Sequence, residues 1–351
     1  MKGTRKDFTT RHTLLFTFHA TPKKHILLFI SFLSMGLLGQ TEFPEWPVLK
    51  HYDEYHISKI ALPIGGIGTG TVSLNGRGSL QDWEIMNRPG KGFSGVTPGN
   101  DAPFFAIYIR EGEKSYTKGL MGPLLDHEYE HMEGRPVDHH GIPRFEKSTF
   151  DAAYPFGTVN LYDSQLPVDV SIKAFNPLIP GDVNASGIPI AVLRYEVTNT
   201  SSQPVLVSIA GSIRNFIGRD GSKYHRDWKG DQIYDGAVKN KNEFRNQGSL
   251  SGIYFMPGEV DPMDPAWGTM ALSTDAPAGI SYRTSSVPNV WYNAVLDFWD
   301  DFSCDGVLNE KTEQADNDPM ASLAVQQTIP ANETRVFQFF LTWHFPNRQA
   351  W

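Results

Sequence analysis

From Thr158 to Thr198, and again from Val205 onward, short segments that alternate apolar and polar residues or are rich in β-branched types follow one another with polar turns between them. A period of two puts every second side chain on one face of a strand, so such a chain must bury one face of each strand against another layer. The segments are Thr158 to Tyr162, Val168 to Phe175, Ile190 to Thr198 and Val205 to Ile213, preceded by the aromatic run Phe104 to Arg110. Shorter ones follow at Gly252 to Met256, Thr269 to Ser273 and Ile280 to Arg283. The last two, Ser322 to Thr328 and Thr334 to Trp343, read as a hairpin across Ile329 to Glu333. A single stretch has convincing helical spacing: in Val290 to Phe302, the residues Trp291, Val295, Phe298 and Phe302 share one face. Many strands and one helix predict an all-β chain, a large two-sheet β-sandwich with one or two short helices.

The glycine-rich stretch from Leu62 to Lys91 stands out from this pattern. Gly65, Gly66, Gly68 and Gly70 crowd its first third, and Asn75-Gly76 separates two apolar runs, Thr71 to Leu74 and Leu80 to Met86. A hairpin follows, because Asn-Gly accepts the positive φ of tight turns. Nucleotide-loop patterns fail: Thr71 and Ser73 stand where G-x-G-x-x-G needs glycine, and no lysine follows. The glycines then serve close backbone approach or unusual φ inside a sheet.

This stretch, with Gln81-Asp82-Trp83-Glu84 behind it, resembles the opening of glycoside hydrolase family 116, the bile-acid β-glucosidase or non-lysosomal glucosylceramidase family. Two later blocks agree, Ala153-Tyr154-Pro155-Phe156 through Leu166-Pro167-Val168, and Ala174 to Asp182 followed by Ser186-Gly187-Ile188-Pro189. The resemblance runs from about Leu62 to the end of the chain and covers the family's amino-terminal sandwich domain. It implies a supersandwich-like fold and a retaining β-glucosidase or glucosylceramidase activity that resides in a helical (α/α) barrel absent from these residues. The last residues, His344 to Trp351, are similar to the family's exit toward that barrel, so the chain is expected to be a fragment and inactive alone.

Composition narrows the alternatives. With 40% apolar and 12% aromatic residues, 351 residues suffice for a substantial core. The net charge of −8 hides six basic residues in the first 24, and the remainder carries 25 basic against 38 acidic residues. Such a body is a poor partner for a phosphate backbone. One cysteine, Cys304, excludes an internal disulfide and a cysteine zinc cluster, and a lone thiol is expected to be a small buried residue. Lys23-Lys24 followed by the apolar run Ile26 to Leu38 predicts a signal peptide with an extended basic region, residues 1–40, cleaved near Gln40. Thirteen residues are too few for a membrane span, which needs about 20. Residues 41–351 then form one secreted or periplasmic domain.

No carboxylate pair here is expected to be catalytic. Asp82 and Glu84 lie two apart on a strand and should share a solvated face, and Asp297, Asp300 and Asp301 should form the polar side of the helix. His127-Glu128-Tyr129-Glu130-His131 matches the zinc motif H-E-x-x-H, which makes a zinc metallohydrolase with His127 and His131 as ligands the weakest alternative. His139 and His140 lie out of register for a third ligand. A free-standing carbohydrate-binding module is the other alternative, with Trp83, Trp228, Trp267 and Trp291 as aromatic platforms and the polar loop Gly218 to Trp228 beside them. For a substrate-facing surface the strongest combination is Trp83, Asn87 and Arg88, which join an aromatic ring, an amide and a cation next to flexible glycines. No cofactor is expected; the expected partners are a carbohydrate or glycoside and the barrel domain of the same polypeptide.

Overall fold

The computed structural model describes residues 45–88, 102–124, 139, 141–228, 230, 232–288, 293–311 and 317–348. All strand pairs within it are antiparallel. The larger sheet has nine strands in the order β1 (Lys50–Tyr52), β7 (Lys147–Ala153), β8 (Phe156–Tyr162), β9 (Val168–Phe175), β10 (Ile190–Asn199), β19 (Thr334–His344), β16 (Thr269–Thr274), β15 (Leu250–Met256) and β14 (Lys241–Gln247). A five-stranded sheet runs β17 (Ile280–Arg283), β18 (Met320–Ile329), β11 (Val205–Arg214), β5 (Phe104–Glu111), β6 (Lys114–Gly119). Three short strands, β2 (Ala61–Pro63), β3 (Thr71–Asn75) and β4 (Leu80–Glu84), form a third sheet, and β12 (Tyr224–Arg226) pairs with β13 (Gln232–Tyr234).

The period-two segments build the sandwich as expected. Along β10 the odd-numbered Ala191, Leu193, Tyr195 and Val197 are buried, while their even-numbered neighbours are half-buried on the outer face. Those inner residues share one core with Ile107, Val207, Ile209 and Leu323 of the smaller sheet. The ring of Phe105 bridges the layers, 5.0 Å from Tyr195 and 5.4 Å from Phe339.

The expected closing hairpin is not formed. β18 pairs with β11 and β19 pairs with β10, so the turn between them crosses from one sheet to the other. The connection from β10 to β11 makes the same crossing alongside it. Asn199 locks the two turns together: its Nδ2 donates to the carbonyls of Gln203, Ile329 and Pro330 at 2.7–3.1 Å, and its backbone N–H donates to Glu333 O at 2.9 Å. Asn199 is fully buried in the folded domain, although it opens an Asn-Thr-Ser sequence.

Two short helices complete the described residues, α1 (Val183–Ser186), capped by the Asp182 carboxylate on Ala185 N, and α2 (Asn293–Asp305). Helix α2 buries Val295, Phe298 and Phe302 against the outer face of the smaller sheet, beside Phe104 and Tyr108. Its acidic residues are not a purely solvated face. Arg283, 1% exposed, reaches the Asp297 carboxylate and Asp301 at 3.5 Å, and Lys311 also pairs with Asp297; Asp300 stays exposed. Burial raises the Asp297 pKa, but the Lys311 hydrogen bond and the Arg283 charge outweigh it and hold the carboxyl below its usual range. Cys304, expected inside, is exposed near the end of the helix, because the buried face is already filled by the phenylalanines.

Candidate functional site: a glycine-rich corner

The hairpin β3–β4 forms as the sequence indicates, but by a different turn. Asn75 ends β3, and its Oδ1 accepts from the N–H groups of Arg77 and Ser79 at 3.0 Å each; the positive φ falls at Gly78. Within β4 the alternation breaks. Register passes from Ser73↔Gln81 to Thr71↔Glu84, so Asp82 and Trp83 together face the single residue Val72. This bulge gives Asp82 a φ of 52° and buries it, 5% exposed, next to a buried Trp83. Asp82 and Glu84 therefore do not share a solvated face. Trp83 is core: it is 4% exposed, with Phe216 edge-on at 5.3 Å. It presents no ring face for a ligand.

The lead-in to β3 is a loop held by remote segments. Ile67 N–H donates to Ser186 O at 2.8 Å, and the Trp343 indole N–H donates to Thr69 O at 2.8 Å. At Gly66 a β-carbon would sit 2.2 Å from the Ile188 carbonyl oxygen, so only glycine permits this approach. The Asn176 amide, 5% exposed, donates from Nδ2 to Gly65 O at 2.9 Å and to Pro63 O at 3.4 Å. Asn176 N–H also donates to Pro155 O at 2.9 Å, so the blocks opening at Leu62, Ala153 and Ala174 meet at this corner.

Asn87 and Arg88 leave β4 at the same corner, and both are exposed. Asn87 has a φ of 59° and donates to Asn347 O at 3.1 Å. Its Oδ1 accepts from Arg348 Nε at 3.2 Å, while Arg348 Nη2 donates to Gly68 O at 2.6 Å. Asn347 in turn donates to Pro262 O at 2.6 Å and Asp264 O at 3.0 Å. Two cavities flank Arg348. One of about 310 Å³ is bordered by Gly66, Gly70, Glu84 and Asn176. The other, about 220 Å³, is bordered by Asn87, Trp343 and His344. Arg348 and Asn176 escaped the sequence reading, although Asn176 stands inside a block that carries the resemblance.

The remaining candidates are scattered. Trp228 is 87% exposed beside β12, Trp267 is half-buried, and Trp291 lies outside the described residues. His127, His131 and the rest of the HEYEH stretch also lie outside them. His139 is described, and it is buried with its ring 4.8 Å from that of Phe104. Burial, and secondarily the charge of Arg144, lower its pKa to about 4, opposed by the backbone at Ala102.

Fold and corner together define a class: an antiparallel β-sandwich domain in which a glycine loop meets the end of the last strand in a polar corner. Residues 61–350 match the family described as beta-glucosidase 2, glycosyl-hydrolase family 116 N-term. The chain belongs to that family of amino-terminal domains. Among solved structures it is similar to a polysaccharide lyase at 10% identity and a TM-score of 0.34, over 87% of this chain and 34% of that one. It is also similar to a protein described as a kojibiose phosphorylase from the human microbiome, at 9% identity and a TM-score of 0.30, over 86% of this chain and 26% of the other. A galactose mutarotase-like protein from Lactobacillus casei is matched at 10% identity and a TM-score of 0.34, over 81% of this chain and all of that one. The chain thus spans about a third and a quarter of the first two.

Proposed function

We propose that this chain is the sandwich part of an exported, retaining β-glucosidase or glucosylceramidase-like glycoside hydrolase, and that it supports a helical catalytic domain of the same protein. The observation that carries the proposal is the family match over residues 61–350. Retaining hydrolysis needs two carboxyl groups about 5 Å apart, one as nucleophile and one as acid/base. In this proposal both belong to the helical domain, and the sandwich contributes binding surface through Asn87 and Arg88. Exposed apolar side chains beside the corner, Ile67, Val183, Ile188 and Met263, supply packing surface for the second domain. Residues 1–40 direct export.

The test joins the chain at Trp351 to a family 116 helical domain and follows hydrolysis of 4-nitrophenyl β-glucoside by NMR. The joined protein is expected to release β-glucose first, and the 351-residue chain alone is expected to release none. Release of α-glucose first, or equal hydrolysis by the chain alone, contradicts the proposal.

A further inference from the structure

Asn176 carries a polar group that the described fold does not use. Its Nδ2 is committed to two carbonyls, which fixes the orientation of the amide and leaves Oδ1 with no donor among the described residues. A buried acceptor in that state is destabilising, so such groups in folded proteins usually meet a water or a ligand. Asn176 borders the 310 Å³ cavity together with the loop glycines, Thr71, Glu84 and Arg348. Arg348 is not a loose surface cation: Gly68 O and Asn87 Oδ1 hold its guanidinium at the cavity.

The donors and acceptors around the cavity select the chemistry of an occupant. An anion would meet the Glu84 carboxylate, and a cation would meet Arg348. A neutral polyol satisfies both, because each hydroxyl can donate to a carboxylate or amide oxygen and accept from a guanidinium. The volume lies at the lower end of the range of small-ligand sites, about 300 to 1,000 Å³. We propose that this cavity is a sugar site that binds a neutral hexose or its β-glycoside. Glu84 and Arg348 contact the hydroxyls, and Asn176 Oδ1 is reached directly or through one bound water. The choice of glucose as the hexose rests on the proposed function; the polyol chemistry does not.

The test uses the 351-residue chain and methyl β-D-glucoside, with the Trp343 indole N–H resonance as reporter, since Trp343 borders the adjoining cavity. A saturable shift in the millimolar range is expected. Arg348→Ala should weaken binding at least tenfold, by the loss of a charged hydrogen bond worth about that factor or more. Arg348 is exposed, so the fold should survive the change. Lys147→Ala, on the edge-side strand β7, should leave binding unchanged. No saturable shift, equal affinity in Arg348→Ala, or a shift produced by sodium acetate in place of the glucoside would overturn the site, the last by marking it as an anion site. Turnover by the joined protein without glucoside binding at this cavity would remove the site and leave the proposed activity standing. Binding here with no turnover in the joined protein would do the reverse.

Discussion

His139 gives a sharp test of its own packing against Phe104 of the smaller sheet. The imidazole is 4% exposed, and its pKa is held down to about 4 against 6.5 for an ordinary histidine. The folded state therefore binds fewer protons than the unfolded chain between these values, and stability must fall as pH drops through the ordinary pKa toward 4. Linkage puts the loss from pH 7.5 to pH 5 at about 2 kcal/mol, out of about 3.4 kcal/mol if the pH were taken well below 4. Asn is the replacement of choice, because residue 139 has a φ of 53° and asparagine tolerates that region without titrating. Urea unfolding of both proteins at pH 7.5 and pH 5 isolates the contribution, since every other titrating group cancels in the double difference. The wild type should lose about 2 kcal/mol more than His139→Asn over that interval. Losses that agree within about 0.5 kcal/mol would refute the burial of a neutral imidazole at this position.

Two further changes probe the frame. Asn199→Ala removes the amide that ties the two sheet-crossing turns and strands three carbonyls; a loss of about 2–4 kcal/mol in urea unfolding is expected, and a loss below about 0.5 kcal/mol would contradict the bridging role. Gly66→Ala places a methyl 2.2 Å from Ile188 O, so the loop must shift; a destabilisation of about 1–3 kcal/mol should appear together with a moved Trp343 indole resonance, and an unchanged spectrum would argue against the close approach.

Most strands of the sandwich were legible in the sequence, but Lys147–Ala153 was not, although it alternates buried and partly exposed residues. Val168–Phe175 coincides with a segment read from alternation, Ile280–Arg283 with one of the shorter strands, and helix α2 carries the apolar face read from its spacing. Connectivity was less legible. Ser322 to Trp343 has the local marks of a hairpin, yet each strand pairs with a partner far away in sequence, β11 and β10, and the turn joins two sheets. The bulge at Asp82 was hidden for a similar reason: one extra residue reverses the faces of everything after it, and nothing in Gln81-Asp82-Trp83-Glu84 marks the insertion. At the corner, Asn87 was read as a candidate from its own neighbourhood, whereas its partner Arg348 lies 261 residues away and could be found only in three dimensions. Glycines 65 to 70 announced a close approach but not the segment approached.

The most direct measurement on the account as a whole is the DNA sequence immediately downstream of the Trp351 codon. The account predicts an open frame that continues into a helical domain bearing a Glu and an Asp placed to act as a retaining pair. A stop codon followed by unrelated sequence would contradict it, and would leave a sandwich whose sugar site, if present, serves binding alone.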